Sequence, residues 1–150
     1  MEAIVSILHI NPIVLKWEEG NAEQLKEKDE SYDFYTVAFG LRNVTHREKA
    51  LKEAWRVLRK GGKMFCLDMS KVQVPIFREI YDWYAFDLVP KLGDLFAKDA
   101  ATYKYLVESV KMFPNQEQLR QMFIDVGFKE CRFKNMSGGI VALHQGTKPL

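Results

Sequence analysis

Apolar residues dominate two short stretches in the first half of the chain, Tyr32 to Phe39 and Lys63 to Met69. Short apolar runs of this kind are typical of buried strands. The stretch between them has apolar residues at helical spacing, namely Ala50, Leu51, Ala54, Trp55, Val57 and Leu58. A strand, a helix and a second strand in this order predict one crossover unit of a parallel sheet.

The ends of the crossover helix are predicted from capping signals. Thr45, with Glu48 three residues later, forms a capping box that marks the start of a helix. The positive charges of Arg59 and Lys60 are favourable at the C-terminal end of a helix, where the helix dipole is negative. Gly61 follows them, and glycine readily adopts the left-handed conformation in which many helices end. These signals predict a helix from Thr45 to about Lys60.

The second half of the chain divides into a helical segment and a C-terminal unit. Apolar and aromatic residues recur at helical spacing across 72–113, where Asp99 to Met112 is predicted as a helix. Ordinary helix packing explains this pattern, and so does a lid over the loop after the first strand. Asn115 to Gly127 has the start and stop signals of another helix. Lys129 to Asn135 and Ile140 to Gly146 predict a terminal hairpin.

The N-terminal residues give fewer signals. Met1 to Asn11 is apolar, without a helix start or a glycine, and Pro12 interrupts it. Ile13 to Trp17 is predicted as a strand, and Asn21 and Ala22 lie in the polar turn that follows it. In open α/β sheets, ligands bind beside the carboxyl ends of the strands. This turn is therefore one candidate site.

The second candidate site is the loop after Tyr32 to Phe39, which carries Arg42 and Asn43. A guanidinium offers a fixed fork of donors that can hold an oxyanion or a carboxylate. An amide side chain supplies both a donor and an acceptor. The competing interpretation of Arg42 is an ordinary surface arginine.

Composition excludes several classes of function. A chain of 150 residues with 47% hydrophobic residues fits one domain with an ample core. A net charge of +2, with basic and acidic residues interleaved, predicts no nucleic-acid surface. Cys66 and Cys131 make no disulfide framework, and Cys66 is predicted as a small core residue. The histidines are scattered without ligand spacing, so no metal site is predicted, and no glycine-rich phosphate loop occurs.

Five motifs resemble one enzyme family when they are taken together and in order. They are NAEQL, YDFYTVAFGLRNVT, RVLRKGGKMFCLDMS, YKYLVESVKMFPNQEQL and GIVALHQGTK. From about Ile13 to the C-terminus the chain is similar to the ubiquinone and menaquinone biosynthesis C-methyltransferases, and it lies nearer to their mitochondrial members. The resemblance implies the class I S-adenosylmethionine (SAM) methyltransferase fold, an α/β Rossmann-like sheet with strand order 3-2-1-4-5-7-6. Ile13 to Trp17 would be strand three, the crossover strands four and five, and the hairpin six and seven.

The resemblance also implies roles for individual residues. Asn21 and Ala22 occupy the position that holds the adenine of SAM in this family. Arg42 and Asn43 lie at the substrate side of strand four, where the family's arginine is implicated in activating the quinol ring. The helical insert would receive the ring and the start of the polyprenyl tail. Its candidate lining residues are Tyr81, Tyr84 and Tyr103.

The chain departs from the family pattern at three points. Lys60 stands where the family usually has proline, and Asp68 stands where it usually has glutamate. Strands one and two, with the glycine-rich cofactor loop, precede Ile13 in the family, and Met1 to Asn11 does not supply them. We therefore expect a truncated methyltransferase sheet that corresponds to the C-terminal part of the domain.

The expected organisation of 1–150 is a single partial domain. Residues 13–70 would form the cofactor and substrate edge, 72–113 the helical insert, and 114–150 a helix plus the antiparallel hairpin. Without strands one and two, strand four becomes an apolar edge that is prone to association. We expect either that strand three pairs beside it or that two chains cover each other's edges as a homodimer.

The implied function is methyl transfer from SAM to a ring carbon of a polyprenyl benzoquinol in ubiquinone biosynthesis. The alternative is a non-catalytic fragment or isoform that acts only in assembly with other quinone-biosynthesis proteins. A polyprenyl substrate implies peripheral membrane contact. Similarity to mitochondrial relatives implies the matrix side of the inner membrane, and the alternative location is the bacterial cytoplasm.

Overall fold

The structure is a computed structural model that describes residues 17–73, 75, 79 and 100–150. Several sequence predictions lie outside these residues: Met1 to Asn11, most of the strand expected over Ile13 to Trp17, and the candidate residues Tyr81 and Tyr84. Trp17 itself is described, and it is not part of a strand.

Four strands and three α-helices follow one another along the described chain. In order they are β1 (Tyr32–Ala38), α1 (Arg47–Val57), β2 (Leu58–Met69), α2 (Ala100–Met112), α3 (Gln116–Val126), β3 (Lys129–Met136) and β4 (Val141–Thr147). Two short 3-10 turns, Leu41–Asn43 and Ser137–Gly139, follow β1 and β3 respectively.

The strands form one mixed sheet in the order β1-β2-β4-β3. β1 and β2 pair in parallel, as the crossover pattern predicted. β4 runs antiparallel to both of its neighbours, so the last two strands form the expected hairpin. This order is the 4-5-7-6 part of the sheet that the family resemblance implied, and the prediction is confirmed for these four strands.

The core lies between the sheet and helices α1 and α3. Its most deeply buried side chains include Leu51, Ala54, Leu58, Met64, Cys66, Leu119, Phe123 and Phe128. Gly146 in β4 allows this packing, because a Cβ there would lie 2.9 Å from Cδ1 of Phe123 and 2.9 Å from Cβ of Phe128. Cys66 is buried as predicted, and burial raises the pKa of its thiol.

The start of α1 differs from the prediction. Its N-cap residue is His46 rather than Thr45, and the His46 side chain makes no capping hydrogen bond. The predicted capping box of Thr45 and Glu48 is therefore wrong. The carboxylate of Glu23, in the turn before β1, takes the place of Glu48. Its Oε1 accepts the backbone N–H of His46 at 2.8 Å.

The end of α1 differs as well. The helix stops at Val57, and Leu58 already pairs with Tyr32 in the sheet. The register between β1 and β2 then shifts across Arg59 to Gly62, which form a bulge at the start of β2. The two basic residues predicted at the helix end thus lie in the strand. Gly61 has the left-handed φ of +76°, but it bends the strand and does not end the helix.

Lys148, near the C-terminus, holds this bulge in place. Its carbonyl accepts the N–H of Gly61 at 2.9 Å, and its own N–H donates to the carbonyl of Gly62 at 2.8 Å. Its Nζ donates to the carbonyl of Leu58 at 2.8 Å and lies 4.1 Å from the ring centre of Trp55. The strand pairing that shortens α1 therefore depends on residues far away in the sequence, and the local sequence around Leu58 does not predict it.

The other helices and the hairpin agree with prediction. α2 begins within one residue of the expected start, and α3 has the expected Asn115 cap in a full capping box with Gln118. Gly127 ends α3 in the left-handed conformation with φ 115°. No helix in the described part of the chain is long and apolar enough to span a membrane.

Strand β1 lies at one end of the described sheet. Within residues 17–73, 75, 79 and 100–150, no strand pairs with its outer side. Phe34 on this strand is 62% exposed and stacks on Phe65 with ring centres 6.4 Å apart. The two coverings predicted for this edge, a strand at Ile13 to Trp17 or a second copy of the chain, remain predictions.

Candidate functional site

The candidate site lies at the carboxyl end of β1. Phe39 adopts a positive φ of 54°, which is uncommon for a residue with a side chain and turns the backbone sharply after the strand. The 3-10 turn Leu41–Asn43 follows, anchored by Leu41, which is buried in the core. This anchor places Arg42 and Asn43 beside the end of β2, where Asp68 lies.

Arg42 is held by Asp68 through two separate hydrogen bonds. The backbone N–H of Arg42 donates to Asp68 Oδ2 at 3.1 Å, and its Nη1 donates to Oδ1 at 2.9 Å. Nη1 also donates to the carbonyl of Phe39 at 2.6 Å. The side chain of Asp68 is 1% exposed and that of Arg42 is 14% exposed. Arg42 is therefore not the freely solvated surface arginine of the competing interpretation.

Two nitrogens of Arg42 stay available for other contacts. Nε is buried and has no hydrogen-bond partner among the residues that the structure describes. Nη2 makes no hydrogen bond with any residue that the structure describes. A buried donor without a partner costs free energy unless a ligand satisfies it. The guanidinium thus offers donors to an acceptor oxygen, which is the chemistry predicted for an oxyanion.

Asn43 contacts the helical insert. Its Oδ1 accepts a hydrogen bond from the hydroxyl of Tyr105 at 3.2 Å. Tyr105 lies on α2, so this bond joins α2 to the loop that carries Arg42 and Asn43. With Oδ1 engaged, the amide nitrogen of Asn43 is the group left to act as a donor.

Asn21 and Ala22 lie in a tight turn that contacts the same region. Asn21 Oδ1 accepts the N–H of Glu23 at 2.9 Å, and Asn21 itself is exposed. Ala22 is buried against the core. Glu23 bonds both the backbone N–H and the ring Nδ1 of His46 at 2.8 Å, which ties this turn to the start of α1. These bonds hold the pKa of Glu23 below its usual value.

The adenine-holding role implied for Asn21 and Ala22 stays a prediction. The amide nitrogen of Asn21 makes no hydrogen bond with the described residues, so it can donate to a purine nitrogen. Ala22 is buried in the same core cluster as Leu41, the residue before Arg42. In the described part of the chain no hydrogen bond joins this turn directly to Arg42, and Glu23 joins the turn to His46.

The remaining predicted residues fall in the helical insert. Tyr103 lies in α2, two positions before Tyr105. Tyr81 and Tyr84 lie outside the described residues. Within the described residues, no group of three or more His, Cys, Asp or Glu side chains is arranged to hold a metal ion.

The sequence did not predict a role for Asp68, Tyr105 or Glu23, although Glu23 belongs to the same predicted polar turn as Asn21 and Ala22. The sequence did contain a signal for Asp68, because a carboxylate near the end of an apolar strand requires a partner when it is buried. It was noted only as a departure from the family pattern. Tyr105 and Glu23 act through contacts between distant parts of the chain, which sequence spacing does not report.

Comparison with known proteins identifies relatives along almost the whole chain. The model of the ubiE/COQ5 methyltransferase family matches residues 7–148. The mitochondrial 2-methoxy-6-polyprenyl-1,4-benzoquinol methylase of Oryza sativa subsp. japonica is 53% identical over 89% of this chain and 46% of its own length. The protein of the same name from Xenopus laevis is 48% identical over 89% of this chain and 43% of its own length. The chain therefore spans about half the length of these relatives.

Solved structures agree with the fold. A SAM-dependent methyltransferase from Thermotoga maritima matches with a TM-score of 0.62 and 23% identity, over 86% of this chain and 61% of that one. A SAM-dependent methyltransferase from Aquifex aeolicus matches with a TM-score of 0.57 and 15% identity, over 88% of this chain and 54% of that one. The described sheet and helices are thus part of the class I SAM methyltransferase fold.

Proposed function

Because this chain belongs to the ubiE/COQ5 methyltransferase family, we propose that it is part of a SAM-dependent C-methyltransferase in ubiquinone biosynthesis. Its proposed substrate is the ring of a polyprenyl benzoquinol. The relatives from rice and Xenopus carry this activity in their names. Since the chain spans about half of their length, we propose that it supplies the substrate side of the active site.

The observation that carries this proposal is the way Arg42 is held. A ring carbon attacks a methyl group only weakly until a neighbouring hydroxyl loses its proton. Arg42 is fixed by Asp68, and its Nε and Nη2 have no partners in the described part of the chain. It therefore offers donors to the oxyanion that forms. The same donors can hold a water that takes the proton. When SAM is bound, its sulfonium supplies the methyl group.

Other residues of the chain orient the reactants in this proposal. Asn43 donates through its amide nitrogen to the same oxygen or to a neighbouring one. Asn21 and Ala22 hold the adenine of SAM. Tyr81, Tyr84 and Tyr103 line the path of the ring and the first part of the tail, as the family resemblance implies. Alignment of the ring carbon with the methyl group then supplies much of the rate.

The proposed location is the matrix face of the mitochondrial inner membrane. The names of the relatives place them in mitochondria. A polyprenyl tail partitions into lipid, because each buried methylene contributes about 0.8 kcal/mol. We therefore propose peripheral membrane contact, together with a homodimer and association with other ubiquinone-biosynthesis proteins.

A non-catalytic role in assembly is the second candidate function. The observation that favours it is the exposed Phe34 on β1, whose outer edge has no partner strand in the part of the chain that the structure describes. An exposed apolar edge is a surface to which another chain can add. SAM binding distinguishes the two functions.

The first test is calorimetric titration of SAM into the purified chain. Binding in the micromolar range, about −8 kcal/mol, supports the enzyme. If no heat is detected, this polypeptide does not hold the cofactor, and the assembly role replaces the proposed one.

The second test measures transfer of a labelled methyl group to a short-chain benzoquinol. Arg42→Ala should lower kcat by about 10²- to 10³-fold, the usual effect of removing an oxyanion donor. Arg120→Ala is the matched control, since among the described residues Arg120 on α3 pairs only with Glu117 on its own helix. Near-normal turnover of Arg42→Ala would exclude the proposed role.

A further inference from the structure

We infer that Asp68 is a positioning residue for the methyl-transfer reaction, acting through Arg42. The inference rests on the proposed function and deepens it. Asp68 does not itself reach toward a ligand, because both of its oxygens are occupied inside the protein. Its role is to fix where the remaining donors of Arg42 lie.

The carboxylate of Asp68 is almost completely buried and fully engaged. Oδ2 accepts the backbone N–H of Arg42 at 3.1 Å. Oδ1 accepts Arg42 Nη1 at 2.9 Å and the N–H of Met69 at 2.8 Å. Asp68 thus binds the main chain and the side chain of one residue at the same time.

The contact has a geometric consequence for the guanidinium. The group is planar, so fixing one nitrogen and the main chain of the same residue restricts the positions of the other two nitrogens. Nη1 is used by Asp68 and by the carbonyl of Phe39. Nε and Nη2 are left as the donors whose positions Asp68 determines.

The contact also has an electrostatic consequence. Arg42 is 14% exposed, and a cation with so little access to water needs a partner. Asp68 provides the compensating charge from the side of the protein interior. The guanidinium can therefore remain at the end of β1 before a substrate oxyanion arrives, and no reorganisation is needed when the charge forms.

The position of Asp68 in the strand supports this assignment. It is the one acidic residue of Leu58–Met69, and its neighbours Leu67 and Met69 are apolar. It lies next to the carboxyl end of β2, while Arg42 follows the carboxyl end of the parallel strand β1. Side chains from adjacent parallel strands meet at this edge, where ligands bind in open α/β sheets.

The test uses two substitutions of Asp68 and one double variant. Asp68→Asn keeps the shape but removes the charge. Asp68→Glu keeps the charge on a longer side chain and is the rescue variant. We expect Asp68→Asn to lower kcat by about 10²-fold, the scale of a small misplacement of a catalytic group. The KM for SAM should stay within about twofold, since Asn21 and Ala22 lie elsewhere, and Asp68→Glu should recover most of kcat.

The double variant separates positioning from general stability. If Asp68 acts through Arg42, Asp68→Asn should lower kcat no further in a protein that already carries Arg42→Ala. A residue with an independent structural role would multiply the two losses. Thermal unfolding of each variant, measured alongside, shows whether a loss of kcat comes from loss of folded protein.

Two results would overturn the inference while leaving the proposed function intact. One is a kcat for Asp68→Asn within twofold of wild type. The other is an equal fold loss from Asp68→Asn in the wild-type and Arg42→Ala backgrounds. Absence of methyl transfer by the wild-type protein would instead overturn the proposed function, and the role of Asp68 would fall with it.

Discussion

Glu23 bonds His46 twice, once at the backbone N–H and once at the ring Nδ1, each at 2.8 Å. The two residues lie far apart in the sequence, yet this pair sets the start of α1. It also joins the turn that carries Asn21 and Ala22 to the helix that follows the Arg42 loop. One carboxylate therefore connects the two halves of the candidate site.

The first prediction compares Glu23→Ala with Thr45→Ala. Removing Glu23 leaves the N–H of the N-cap residue without its acceptor, so the unfolding midpoint in urea should fall clearly. Thr45→Ala should leave the midpoint within experimental error, because Thr45 makes no capping bond. The opposite ranking would mean that the local capping box forms in solution.

The same pair gives a pH-dependent prediction. The hydrogen bonds from His46 hold the pKa of Glu23 below its ordinary value of 4.5. A carboxylate with a lowered pKa stabilises the fold above its ordinary pKa, and the contribution is lost as pH falls through the lowered value. The difference in stability between wild type and Glu23→Ala should therefore shrink in acid. A difference that stays constant below the ordinary pKa would contradict this assignment.

The start of α1 also shows how far sequence reasoning reaches. The apolar stripe of α1 was predicted, because helical periodicity depends only on the local sequence. The two ends of α1 were not predicted correctly, although the sequence contains good local capping signals for both. A side chain from another loop replaces Glu48 at the start. At the end, the pairing of Leu58 with Tyr32 draws the chain into the sheet before Gly61 is reached.

The candidate site likewise contains residues that local sequence signals reveal and residues that depend on long-range contacts. Arg42 and Asn43 were found from their place after a strand and from the chemistry of their side chains. Asp68 could have been found, because it is a charge inside an apolar strand. The contact of the Tyr105 hydroxyl with Asn43 could not be found in this way, because it depends on how α2 packs against the loop.

The third prediction concerns the buried imidazole of His144. Its Nε2 lies 2.9 Å from the carbonyl oxygen of Gln116, so this nitrogen carries the proton and donates. Burial lowers the pKa of His144 from its ordinary value of 6.5. As the pH falls below 6.5, His144 takes up a proton in the unfolded chain more readily than in the folded one. The free energy of unfolding should therefore fall as the pH decreases, by at most about 1.4 kcal/mol per pH unit.

The check is urea unfolding of wild type and His144→Gln from about pH 7 to about pH 5. The variant should be less stable at neutral pH, because the ring packs between Phe123 and Phe133. Its stability should nevertheless depend less steeply on pH than that of wild type. Equal slopes in the two proteins would show that another group causes the pH dependence.

The fourth prediction concerns the side chain of Gln116, which joins three parts of the fold. Its Nε2 donates to the carbonyl of Lys71 at 2.7 Å and to Asn135 Oδ1 at 3.1 Å, and its Oε1 accepts from Gln73 Nε2 at 2.8 Å. Gln116→Ala leaves buried polar groups without partners. The free energy of unfolding should therefore fall by about 1–3 kcal/mol.

Gln121 is the matched control for this substitution, because it lies on the same helix, is exposed and, in the part of the chain that the structure describes, its side chain bonds only Asp125. Gln121→Ala should change the free energy of unfolding by less than about 0.5 kcal/mol. Similar losses for the two variants would mean that the bonds of Gln116 add nothing beyond ordinary helix propensity.

The last prediction concerns Tyr105, whose hydroxyl donates to Asn43 Oδ1 at 3.2 Å. Loss of this bond in Tyr105→Phe frees the Asn43 amide to rotate, so its nitrogen is no longer held in one position. A single hydrogen bond contributes about 0.5–1.5 kcal/mol, so kcat/KM for the proposed quinol substrate should fall by about 2- to 10-fold. Thermal stability should change little, because Tyr105 is 43% exposed.

Two further variants show whether this effect passes through Asn43. In a protein that carries Asn43→Ala, the Tyr105→Phe substitution should cost nothing more, since the acceptor is already gone. Tyr103→Phe tests the lining role that the family resemblance implied for the neighbouring tyrosine. One result would contradict the prediction: Tyr103→Phe lowers kcat/KM and Tyr105→Phe does not. The substrate would then contact α2 through Tyr103, and the bond from Tyr105 to Asn43 would serve only to hold α2 against the loop.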